Sequence, residues 1–136
     1  MSRFRVQVTR FAAIGFLALW ADLSLGHLAG GFRHPGMWVP LITLPIAAAV
    51  CEWTVRSPAA ASHRALRLMS CAAILIGMLG STLHLLRLVS DLRGPIQFDV
   101  LLRLMRYPPL LAPLAVSGLG ILGLLIGSEE GEGEEG

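Results

Sequence analysis

Lysine is absent from this 136-residue chain, and its eleven basic residues are all arginine. Charge of either sign is scarce. Charged residues make up 15% of the sequence, against roughly 25% in soluble domains. Cysteine is limited to Cys51 and Cys71, with no CxxC pair and no extracellular disulfide pattern, so cysteine usage leaves the redox compartment open. The ten-residue alternating stretches of a β-barrel are also missing. So are a nucleophile triad, a phosphate loop and any cluster with metal-ligand spacing. Hydrophobic residues, by contrast, are 54% of the chain, and its mean hydropathy is +0.68. A soluble chain this short could not hide so much apolar surface. The composition therefore excludes a soluble enzyme, a DNA-binding domain and a disordered linker, and points to a bilayer as the solvent.

Five of the nine acids, Glu129, Glu130, Glu132, Glu134 and Glu135, sit in the last eight residues, leaving a basic remainder. Arginines flanking apolar segments suit lipid headgroups, so the excess reads as membrane anchoring rather than nucleic-acid binding. The tail 128–136 alternates Glu with Gly and is expected to be disordered.

Four segments approach the roughly 20 residues that a helix needs to cross a hydrocarbon core. They run over about 11–28, 37–55, 68–89 and 109–127. Lipid cannot satisfy backbone polar groups, so these are expected to be helices. The expected fold class is an all-α integral membrane protein. It is a single domain, 1–127, with four transmembrane helices in a bundle. A secretory leader is the rival reading of the first segment, but Leu19-Trp20-Ala21 is a poor cleavage site and the apolar run continues to Leu28. Four spans place both termini on one side. Arg3, Arg5, Arg10, Arg56, Arg64 and Arg67 lie there, against Arg33, Arg87, Arg93, Arg103 and Arg106 on the other. The first helix usually dominates orientation, which favours cytoplasmic termini.

The connections differ in kind. Residues 30–36 form a tight turn, and 56–67 read as a short basic loop rich in Ala and Ser. Between Asp91 and Tyr107, Phe98, Leu101, Leu102 and Met105 recur at i, i+3, i+4 and i+7, which predicts a short amphipathic helix in the headgroup plane. That face either covers the end of the bundle or docks a partner subunit. Trp38 and Trp53 bracket the second span as interfacial anchors should. Pro45 falls inside it, where a missing N–H usually kinks a helix, and Pro113 is placed to do the same in the fourth.

Ionisable groups within apolar spans cost roughly 2.5–3.5 kcal/mol each, so they are functional suspects. They are Asp22, His27, Glu52 and His84. At 1.5 Å per residue, His27 and His84 each lie about 24 Å from the start of their spans. Odd-numbered spans run the same way, so the two imidazoles share a level. Such a pair could ligate a haem b iron axially or hold a quinone carbonyl. Alternatively, each His bonds a neighbouring carbonyl or faces an interface, and Gly26-xxx-Gly30, Gly77-xxx-Ser81 and Gly123-xxx-Gly127 are ordinary packing motifs. Asp22 is a candidate proton-coupled transport residue or a buried acid paired with a neighbour. Five residues from His27, it is placed about 140° round the helix and off its face. Glu52 is expected to pair with Arg56 at i+4. Both cysteines read as small packing residues.

The run Gly26-His27-Leu28-Ala29-Gly30-Gly31-Phe32-Arg33-His34-Pro35-Gly36-Met37-Trp38-Val39-Pro40 resembles a GHxxGGFxxPxMWxP pattern of small four-helix bacterial membrane proteins. His84 and the stretches at Gly94-Pro95 and 107–110 are compatible with that group. The resemblance implies a multi-pass protein of the bacterial inner membrane, beside membrane-bound dehydrogenases of the gluconate dehydrogenase type. Its implied role is a non-catalytic anchor or assembly subunit of a respiratory or electron-transfer complex. His27, Phe32, Pro35, Trp38 and Pro40 mark the corner that carries the match. The interface candidates are then Phe32, His34, Trp38 and the Phe98–Met105 face, and the partners are the bilayer and the other subunits. Three functions are expected in turn: the anchor, an electron-transfer subunit using His27 and His84, and a transporter using Asp22.

Overall fold

The structure is a computed structural model and describes residues 1–32, 35–91 and 111–128. Those residues form four helices and no strand: α1 (Arg3–Gly30), α2 (Trp38–Arg56), α3 (Ala60–Asp91) and α4 (Leu111–Ser128). A one-turn 3-10 helix, Pro35–Met37, leads into α2. The stretches Arg3–Ala29, Pro35–Arg56 and Ala60–Ser90 are long and apolar enough to cross a membrane, while Leu111–Gly127 is a shorter apolar helix. The amphipathic segment with Phe98, Leu101, Leu102 and Met105, together with His34 and most of the acidic tail, lies outside the described residues.

Each boundary has a local cause. Ser2 caps α1, its hydroxyl accepting the Arg5 N–H at 3.3 Å, so the helix begins well before the apolar span. At the far end, the N–H groups of Gly31 and Phe32 return to the carbonyls of Leu28 and His27, at 3.1 and 3.2 Å. That paired closure uses the left-handed backbone of Gly31, at φ +77°. Pro58 ends α2 by holding Ser57 out of the helical region. The basic stretch 56–67 is then mostly helix rather than loop, because only residues 57–59 separate α2 from α3. Alanines propagate α3, and Ser62 nucleates it. The Ser62 hydroxyl accepts the Ala59 N–H at 3.1 Å and reaches the Ser57 carbonyl at 2.8 Å. Arg64 and Arg67 accordingly ride on α3.

The helices form a ring in which α3 packs most extensively on α4 and α1 on α2, while α2–α3 and α1–α4 contacts close it. Neighbours are antiparallel. Gly77 faces Pro113 and Ser117, Gly120 faces Ser70 and Ile74, and Gly127 faces Arg67, so α4 descends where α3 rises. Small residues permit this approach. A Cβ on Gly120 would sit 2.7 Å from the Ser70 carbonyl, closer than van der Waals contact allows. On Gly77 it would overlap the Ser117 hydroxyl and the Pro113 carbonyl. The Ser117 hydroxyl also donates to the Ile74 carbonyl at 3.2 Å, across the same interface.

The core is built of small side chains, with Ala12, Ala47, Ala48, Ala73 and Cys51 packed around Phe16, Leu44, Leu66 and Val116. Large apolar side chains point outward instead. Phe11, Ile14, Leu25, Leu68, Leu75 and Leu111 are each at least 67% exposed. This distribution suits a solvent of acyl chains, in which close helix contact rather than removal of apolar area drives association. Of the two cysteines, Cys51 is buried and Cys71 faces outward, so only Cys51 is the internal packing residue that was expected.

The prolines act differently from one another. Pro113 lies in the first turn of α4, where its missing N–H costs no helical bond, so it does not break that helix. Pro45 is interior to α2 and leaves the carbonyl four residues before it, that of Leu41, without its helical donor. The indole N–H of Trp20 donates to that oxygen at 3.0 Å. One side chain of α1 thereby replaces the missing backbone donor of α2.

Two predictions follow from these contacts. Trp20→Phe lowers stability in mild detergent by about 0.6–2 kcal/mol, the range for polar contacts between membrane helices. Pro45→Ala, which restores the N–H, reduces that loss in the double variant. A double-mutant cycle of thermal unfolding checks this, and strictly additive effects would refute the replacement. Separately, Gly77→Leu forces α3 from α4 and lowers the melting temperature sharply. Gly26→Ala, with nothing within 4 Å of its Cβ position, leaves it near the wild-type value.

Candidate functional site

Gly77, Gly80 and His84 recur at i, i+3 and i+7, so they share one face of α3. The two glycines admit Pro113 against that face, with a Cβ on Gly80 falling 3.2 Å from the proline Cβ. His84, one turn further along, therefore lies beside the start of α4. His27 reaches the same place from the last turn of α1, where its carbonyl is fixed by the closure on Phe32. A pocket of about 140 Å³ lies between them, lined by Asp22, Leu23, Leu25, Gly26, His27, His84, Ala112 and Pro113. The two histidines, expected at a shared level, both line this pocket.

Asp22 was placed about 140° round the helix from His27. Both residues line the same pocket. Between them lies Gly26, where a Cβ would meet nothing within 4 Å. The pocket is lined on α1 by Asp22, Leu23, Leu25, Gly26 and His27. Gly26 is therefore part of the pocket wall, not a helix-packing glycine. Among the described residues the Asp22 carboxylate, which is exposed, makes no hydrogen bond or ion pair.

Aromatic groups stand next to the pocket. Phe32 holds φ +47°, a left-handed conformation that is costly for a residue with a bulky side chain. Its ring stacks on Trp38 at 4.8 Å and 21°. The same ring lies 6.3 Å from the His27 imidazole at a tilt of 52°. Of the corner residues singled out in the sequence, His27, Phe32 and Trp38 thus form a connected series.

The opposite end of the bundle is simpler. The Arg56 Nε donates to Glu52 at 2.8 Å, the expected i+4 pair. The Arg10 guanidinium on α1 adds a second contact at 3.8 Å. Glu52 is thereby a strut between α1 and α2. Thr54 and Ser62 tie α2 to α3 at this same end, the threonine hydroxyl donating to the Ser62 carbonyl at 3.3 Å.

The pocket's chemistry is bounded by its size and its groups. Its volume is close to the roughly 150 Å³ of a cavity that holds one benzene ring. The pocket is open on one side, so this volume gives the size of the ring it can shelter and not of a whole ligand. A neutral imidazole offers one donor and one acceptor, and a carboxylate offers acceptors alone. Among the described residues no three His, Cys, Asp or Glu side chains are grouped to hold a metal ion. The contributions of Leu25, Ala112 and Pro113 to the pocket were missed by sequence reasoning. No family model, curated protein or solved structure matches the chain.

Proposed function

We propose that all four helices span the bilayer and that the chain is a non-catalytic subunit of a larger respiratory or electron-transfer complex. Its task there is to hold a quinone headgroup between His27 and His84. The observation that supports this reading is the convergence of Asp22, His27 and His84 on one ring-sized pocket. A bare anchor has no use for three costly ionisable groups at one place. The pocket volume suits the ring of a quinone. Asp22 shares that pocket, which supports reading it as part of the ligand site rather than of a separate transport path.

Anchoring or assembly is the companion reading, favoured by the half-exposed Trp38 that stacks on Phe32 beside the site. That pair offers a partner subunit an aromatic surface. The proposed setting is a bacterial inner membrane with cytoplasmic termini. Arg3, Arg5, Arg10, Arg56, Arg64 and Arg67 then gather at the cytoplasmic end, as the positive-inside rule asks.

The test is binding of tetramethylbenzoquinone to the whole chain in lipid nanodiscs, followed by equilibrium dialysis. His84→Ala is expected to weaken binding about tenfold, the worth of one well-made hydrogen bond. Gly26→Leu fills the pocket and abolishes binding while the melting temperature stays near that of the wild type. A Soret band lost in both His27→Ala and His84→Ala would replace the quinone by haem. A colourless chain that binds no quinone and purifies with a stoichiometric partner would leave anchoring alone.

A further inference from the structure

We infer that the pocket takes the reduced, hydroquinone form of its ligand in preference to the oxidised form, with Asp22 accepting a hydrogen bond from a ring hydroxyl. The inference rests on the quinone reading above and assigns Asp22 its part in it. A quinone carries two carbonyl acceptors and no donor. Of the pocket's groups only the imidazole N–H donors can serve it, leaving the Asp22 carboxylate with nothing to accept. A hydroquinone carries two O–H donors, which need acceptors. The carboxylate meets one of them and an unprotonated imidazole nitrogen meets the other. Hydrogen bonds to a charged acceptor are about twice as strong as those between neutral groups. The carboxylate therefore tips the balance toward the reduced ligand.

Two observations make Asp22 available for this. Its carboxylate has no hydrogen bond or ion pair among the described residues, and a carboxylate in an apolar span is costly without one. It also lines the pocket alongside both imidazoles, with Gly26 opening the wall between Asp22 and His27. Leu25, exposed on the same turn, gives this side of the pocket an apolar approach suited to a ligand carrying an alkyl tail.

The experiment compares tetramethylbenzoquinone with its hydroquinone, kept reduced without oxygen, on the full chain in lipid nanodiscs. The wild type is expected to bind the hydroquinone about tenfold more tightly, the worth of one charge-assisted bond. Asp22→Asn removes that preference by weakening hydroquinone binding about tenfold, with quinone binding held within about twofold. Asp22→Glu keeps a carboxylate and retains most of the preference, so a folding defect in the Asn variant does not decide the matter. Equal binding of both forms by the wild type, or a preference that survives in Asp22→Asn, overturns the role of Asp22 and leaves the quinone pocket standing. Binding of neither form by the wild type overturns the pocket reading itself.

Discussion

Because Gly77 has no side chain, α3 and α4 approach until the Ser117 hydroxyl and the Pro113 carbonyl occupy the space that a Cβ would fill. Apolar burial contributes little to helix association when the solvent is itself apolar, so this contact depends on dispersion and on the Ser117–Ile74 hydrogen bond. Much else is placed by it. Gly80 seats Pro113, Pro113 and Ala112 form the pocket floor, and His84 sits one turn beyond the seat. The α1–α4 contact then brings His27 and Asp22 across from the other side. The candidate site is in this sense a by-product of helix packing, held by residues that never touch a ligand.

A second constraint is that the bilayer offers no hydrogen bonds. Every polar group at membrane depth needs a partner within the protein. The hydroxyls of Thr9, Ser24, Thr43, Ser81 and Thr82 meet this need locally by bonding the carbonyl four residues earlier. Pro45 creates a deficit that local bonding cannot meet, and Trp20 meets it from the adjacent helix. Glu52 is held by two arginines. Against this economy Asp22 stands out, since the described residues provide it with nothing. That contrast, more than its position in the sequence, separates it from the structural polar groups.

Much of the architecture could be read from the residues in order. The apolar runs identified helices, the turn at Gly31 marked the end of α1, and Glu52 found its i+4 arginine. Boundaries were harder, because caps decide them. Ser2 extends α1 and Ser62 starts α3 early, through single hydrogen bonds that hydropathy does not register. Pro113 was expected to distort α4 but falls in the first turn, where its lack of an N–H has no consequence. At the site, counting residues placed His27 and His84 at one depth. It set Asp22 about 140° round the helix from His27, and what it could not show is that one pocket is lined by both.

Composition and periodicity by themselves determined that this chain is helical, apolar and suited to a membrane. These properties are sums over many residues, insensitive to any one contact. Depth along each helix was determined in the same way, by a fixed rise per residue. Only the tertiary structure decided which faces meet. It joined Trp20 to Leu41, set Gly77 against Ser117, and gathered Asp22, His27 and His84 around one pocket. The rotational phase between helices depends on where side chains are missing and on where a backbone carbonyl lacks a donor. Those are relations between distant residues, and no local pattern carries them.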